Sequence, residues 1–140
     1  MEYKRFDKTI AVRLDKNDDI ISSLINVAEK ENIRAGSFSG IGATDNFTVG
    51  IFCLKKQTYE KLTFNDGNYE ITSLNGNITF VDGKPYIHVH ITCAGKDGNV
   101  VGGHLLEGII SLTCEIFINA ADGEIGRKHD EELNINRFDF

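Results

Sequence analysis

Residues 86–93 read YIHVHITC, and the alternation in this stretch decides what fold the chain can adopt. Successive side chains of an extended strand point to opposite faces, so Ile87, Val89, Ile91 and Cys93 share one face and His88 and His90 the other. The first set is apolar and belongs against a core. The second carries two imidazoles on one side, with α-carbons roughly 7 Å apart. Residues 108–118, GIISLTCEIFI, divide the same way: Ile110, Leu112, Cys114, Ile116 and Ile118 form an apolar set, against Ser111, Thr113 and Glu115. Two such strands imply a sheet with one face on a core and a second, more polar face.

Outward from these strands the chain reads as further strands and one helix. The helix spans 17–33, NDDIISSLINVAEKENI, where Ile20, Ile21, Leu24, Ile25 and Ala28 recur at three- and four-residue spacing. Asn17 is placed to cap its start, Asp18 and Asp19 suit its N-terminal dipole, and Lys30 suits the other end. Strand-like runs cover TIAVRL before the helix, then 35–43, 47–54, 58–64, 69–81, 85–93 and 104–119. NDGN at 65–68, VDGKP at 81–85 and GKDGN at 95–99 supply the turns, and the polar tail ends in a short last strand. The expectation is an α+β fold: a largely antiparallel sheet of about seven strands with one main helix packed on one face, in a single domain over 1–140.

Composition bounds the function. With 140 residues, 41% of them hydrophobic and 26% charged, the chain can build one core and has no disorder signature. No apolar run approaches membrane-spanning length and the N-terminal stretch does not read as a secretory signal, so a cytoplasmic protein is expected. The net charge of −6 argues against direct nucleic-acid binding, because the basic clusters, KK at 55–56 and GRK at 126–128, are short. Cys53, Cys93 and Cys114 form no CxxC pair and sit in apolar runs, where buried reduced thiols are expected.

The chain has four histidines, and His104, in VVGGHLLEG, follows the His88–His90 pair by 14 residues. A hairpin at GKDGN would return the His104 segment beside the His-x-His strand, and Gly102 and Gly103 would let the backbone turn sharply and approach closely. Three imidazoles with one open position are a common catalytic zinc arrangement. The competing reading is an exposed polar alternation with His104 unrelated to it. Glu107 and Glu115 are candidates for general acid–base work near such a metal, or surface and ion-pair residues; His129, in the charged tail, reads as solvated.

The runs YEITSLNGNI (69–78) and GKPYIHVHITCAGKDGNVVGGHLLEGIISLTCEIFI (83–118), with SFSGIGA at 37–43 and RLDKNDDIISSL at 13–24, resemble the plant and prokaryote conserved (PPC) domain over nearly the whole chain. The resemblance is to the stand-alone prokaryotic type, and implies a homotrimer with an α+β fold similar to that of acetolactate decarboxylase, whose zinc is held by a His-x-His and a later His. It therefore implies zinc, or a similar divalent metal, on His88, His90 and His104. Plant members carry an AT-hook for the DNA minor groove, which this chain lacks. The functions left standing are metal-dependent chemistry on a small molecule, a DNA-associated regulator, and a non-catalytic trimeric metal or interaction module. Acetolactate decarboxylase-like chemistry also needs an arginine and carboxylates round the zinc. Arg13 and Arg34 are available, with no sequence signal placing either at the site.

Overall fold

The computed structural model describes residues 1–140. In chain order the elements are β1 (Glu2–Phe6), β2 (Thr9–Asp15), α1 (Ile20–Lys30), β3 (Gly36–Cys53), β4 (Thr58–Phe64), β5 (Tyr69–Val81), β6 (Lys84–Gly95), β7 (Val100–Ala120), β8 (Gly126–Asp130) and β9 (Ile135–Asp139). All nine strands belong to one sheet, antiparallel except for a single parallel pairing of β8 with β5 at Gly126–Phe80. The α+β architecture is as expected, and the strand count rises from seven to nine. The runs 35–43 and 47–54 merge into β3, which passes through register shifts between Gly42 and Asn46 rather than a turn. β1 and β8 are added, and the short last strand expected in the tail is β9; β1 is mostly exposed, with no apolar alternation to announce it.

Four pairings close on themselves: β3 with β5, β5 with β6, β6 with β7, and β7 back to β3. Their inner faces carry Phe47, Leu74, Ile91, Leu105, Ile110 and Ile116, each no more than 1% exposed. Helix α1 packs on β6 and β7 and contributes Ile20, Leu24, Val27 and Ala28 to the same core. No helix is long and apolar enough to cross a membrane.

Local chemistry corrects several expectations. Helix α1 is shorter than 17–33, and its cap is Asp19, whose carboxylate accepts from the Ser22 N–H at 2.7 Å. Asn17 instead occupies a left-handed turn conformation, φ 72°. Asp18 accepts from the Asp15 N–H and faces the N-terminal ammonium. Val27 joins the buried stripe, while Ile21 and Ile25 flank it half-buried. Cys93 and Cys114 are buried free thiols, but Cys53, at the end of β3, is only half-buried. Leu112 does not belong to the core set: it is 72% exposed. Between the pairs Gly42–Cys114 and Thr44–Ile110, β7 carries more residues than β3, so the alternation breaks and Leu112 is turned outward.

Leu74 is fully buried and is paired with Gly40 on one side and Ile91 on the other. Leu74→Ala is expected to cost about 2–5 kcal/mol through lost burial and the cavity left behind, read as a lower urea midpoint with an unchanged slope.

Candidate metal centre

The β6–β7 hairpin places His90 directly opposite His104. His88 lies two residues along β6 on the same outer face, opposite Asn77 of β5, while Val89 and Ile91 point into the core. The three ring centroids are 5.1–5.4 Å apart. One nitrogen from each ring lies within 4.8 Å of the others, and the group contains no carboxylate or thiol.

His104 is the junction of the arrangement, because it pairs with His90 on one side and with Gly50 of β3 on the other. Gly50 has no side chain, and the space a Cβ would occupy is taken by the Tyr59 ring of β4. Tyr59 thereby reaches across β3 and stacks on the His104 imidazole, 4.8 Å between centroids and 21° between planes. The stack fixes the ring, and His104 Nδ1 is left buried with no hydrogen-bond partner. Gly102 and Gly103 stay in extended strand and make no sharp turn. Their role is close approach, since a Cβ on Gly102 would meet the Ile91 carbonyl oxygen and the Thr92 backbone.

Burial favours the neutral form of His104 and His88. Burial pushes His104 down to about 4, assisted by the neighbouring His88 and His90. Burial also lowers His88, followed by the charge of Arg127 and by His90. A neutral imidazole keeps the lone pair that a metal needs. Burial raises the Tyr59 phenol, with a contribution from nearby Tyr86.

The other expected residues lie elsewhere. Glu115 opposes Arg13 of β2 and Ile41 of β3, on the part of β7 beyond its pairing with β6, which ends at His104. Glu107 lies farther along β7 than His104, opposite Thr48. Neither belongs to the three-histidine group. His129 is exposed in β8 beside the Asn136 amide. Arg13 pairs with Glu2 and Asp15, and Arg34 with Glu124.

Three residues at the site were not anticipated: Tyr59, Tyr86 and Arg127. Tyr86 had a signal, since it continues the alternation of His88 and His90. Tyr59 and Arg127 had none, being brought in by separate hairpins. Gln57 in the β3–β4 turn donates to the Glu132 carbonyl, and Asn134 donates back to the Gln57 carbonyl, so the β3–β4 and β8–β9 hairpins meet.

The profile of the Plants and Prokaryotes Conserved (PCC) domain matches residues 1–122. The chain belongs to the PCC family. Among solved structures the PCC chain is similar to a candidate DNA-binding protein from Bacteroides thetaiotaomicron, with 30% identity over 99% of this chain and 96% of that one and a TM-score of 0.95. It is also similar to a metal-containing protein from Archaeoglobus fulgidus, with 33% identity over 98% and 96% and a TM-score of 0.87. A Staphylococcus aureus protein of unknown function, itself similar to α-acetolactate decarboxylase, shares the fold alone: 12% identity over 85% of this chain and 54% of that one, TM-score 0.55. No protein with a curated description matches. The β8–β9 hairpin, which carries Arg127, lies beyond the matched residues.

The His104 shift has a defined sign. In metal-free protein the unfolded chain takes up a proton below about 6.5, whereas the folded His104 resists until about 4. The stability His104 carries is complete above the first value and is lost as pH falls to the second. The stability difference between the metal-free protein and its His104→Gln variant should therefore shrink between pH 7 and pH 4.5, measured by urea unfolding; a constant difference would contradict the burial argument.

Proposed function

We propose that the chain binds one divalent ion, zinc or a similar metal, through His88, His90 and His104, and uses it in chemistry on a small molecule. The observation that carries this reading is the convergence of three ring nitrogens within 4.8 Å. The unpartnered Nδ1 of His104 is a second support: a buried nitrogen without a hydrogen bond is costly, and a set of imidazoles that lose that cost on binding a cation fits the donor chemistry of zinc. Three protein donors leave one position of a four-coordinate ion for a ligand. When bound, such an ion supplies Lewis-acid activation of an oxygen-bearing ligand. The protein's own residues hold the rings: the β6–β7 register sets the spacing, and Tyr59 fixes the His104 plane. The metal-containing Archaeoglobus relative supports the reading.

DNA association stands second. Its support is the name of the Bacteroides relative. Against it stand the net charge of −6 and the pairing of Arg5, Arg13, Arg34 and Arg137 with carboxylates. Phosphate contacts need clustered free cations. The free thiols Cys93 and Cys114 suit a reducing compartment, and we place the protein in the cytoplasm.

We also infer a homotrimer. Ile41, Leu112 and Phe117, 61%, 72% and 56% exposed, lie around Glu115 on the outer face of β3 and β7. An apolar group of this kind suits burial against further copies of the chain.

Purified protein is expected to carry about one divalent ion per chain by elemental analysis. His88→Ala with His90→Ala should abolish it while leaving the circular-dichroism spectrum unchanged, because neither side chain enters the core; retained metal would sink the assignment. Light scattering should give about three times the 15.6 kDa chain mass, and Leu112→Asp should shift it towards the monomer. A monomeric wild type would remove the trimer.

A further inference from the structure

Arg127 is the one arginine of the chain without a carboxylate partner. The other four each pair with an acid at 2.6–3.0 Å. Arg127 is instead held by neutral groups. Nε donates to Thr79 Oγ1 at 2.9 Å, Nη1 to the Asn136 carbonyl at 2.9 Å, and Nη2 to Asn77 Oδ1 at 2.7 Å. Its guanidinium lies 4.7 Å from the Tyr86 ring centroid and 4.9 Å from that of Phe138. Three of its five N–H groups are thus used and two remain. The residue is half-buried, and a partly desolvated charge without a counter-ion is costly.

The position of this charge matters as much as its isolation. Asn77, which Nη2 grips, is the residue opposite His88, and Tyr86 is the next outward-facing residue on the same strand. The guanidinium therefore sits at the edge of the three-histidine group, where the protein supplies no carboxylate. A divalent ion on the three imidazoles would add to that positive charge. A fixed, unneutralised cation beside an open coordination position is the chemistry that receives an oxyanion.

We propose that Arg127 is the anion-recognition residue of this site, and that the ligand is a small organic acid whose carboxylate pairs with the guanidinium while a second oxygen faces the histidines. The assignment rests on the three-histidine metal reading for the second oxygen, and on Arg127 alone for the carboxylate. It gives the β8–β9 hairpin a role in ligand choice: a hairpin that carries the recognising charge can differ between relatives that share the histidines.

The test uses cobalt(II) as the metal and oxalate as the probe. Oxalate titrated into the cobalt-loaded full chain is expected to change its visible spectrum. Arg127→Gln should weaken oxalate about tenfold to a hundredfold, the effect of losing a charged hydrogen-bonded pair, with cobalt affinity retained. Arg127→Lys, which keeps the charge and loses the planar fork, should fall between. In wild-type protein the Arg127 Nε–H resonance should move on oxalate addition, a readout that does not depend on any variant keeping its hairpin. Oxalate binding within twofold of wild type in Arg127→Gln, or an Nε–H resonance that stays still while oxalate saturates the site, overturns the proposal. If the wild type takes up no cobalt, the metal reading fails by itself. The metal-free titration then decides Arg127: movement of its Nε–H resonance sustains the anion site, and none removes it.

Discussion

The pairing of His104 with both His90 and Gly50 is the constraint on which the rest of the structure depends. At that residue β7 passes from its partnership with β6 to its partnership with β3, and the ring of pairings closes. Closure decides which faces turn inward. Every second residue of β6, and Leu105 beside His104, must then enter one shared core. The same closure leaves the histidines no choice but the outer face, on neighbouring strands, in register. The small residues at the junction are what make it feasible. Gly102 lets β7 lie against the Ile91–Thr92 backbone, and Gly50 leaves room for the Tyr59 ring.

The chemistry of the site follows from what closure buries. Rings on the outer face of a sheet would ordinarily be solvated and would titrate near neutrality. Here Tyr59 covers His104 from the β4 side, and Arg127 and Tyr86 lie at the His88 edge. Partial cover removes water from two of the rings and holds them uncharged, the state in which imidazole is a ligand rather than a cation. The site is therefore built by three hairpins: β6–β7 supplies the donors, β3–β4 the stacking ring, and β8–β9 the charge.

The outer face is divided between two kinds of surface. Around the histidines it is polar and aromatic, with Asn77 and Thr79 taken up by Arg127. Farther along β3 and β7 it is apolar, with Ile41, Leu112 and Phe117 standing exposed. The division arises from a local irregularity. The extra residues of β7 opposite Gly42–Thr44 rotate Leu112 out of the core sequence of alternation. A bulge thus converts a core-pattern leucine into a surface one without disturbing Ile110 or Cys114 on either side.

Alternation and the turn signals made legible the class of fold, the core face of β6 with His88 and His90 opposite it, and the hairpin at GKDGN. These are local properties, because side-chain direction in a strand follows from the chain itself and a tight turn sets which residues face each other. Whether His104 joins His88 and His90 is decided by the pairing of β6 with β7. The extent of α1 was readable only approximately, since Asn17 and Asp19 are both chemically able to cap and the turn geometry chooses between them. Leu112, Tyr59 and Arg127 were not legible at all. The first depends on a mismatch in length between two paired strands, which neither strand records. The other two reach the site from hairpins 45 residues before and 23 residues after His104, and Glu115, on the same strand as His104, is carried away from it. Which residues share a strand face was written in the sequence; which faces meet was decided only when the pairings closed, because contacts between distant segments are set by the register of the whole sheet.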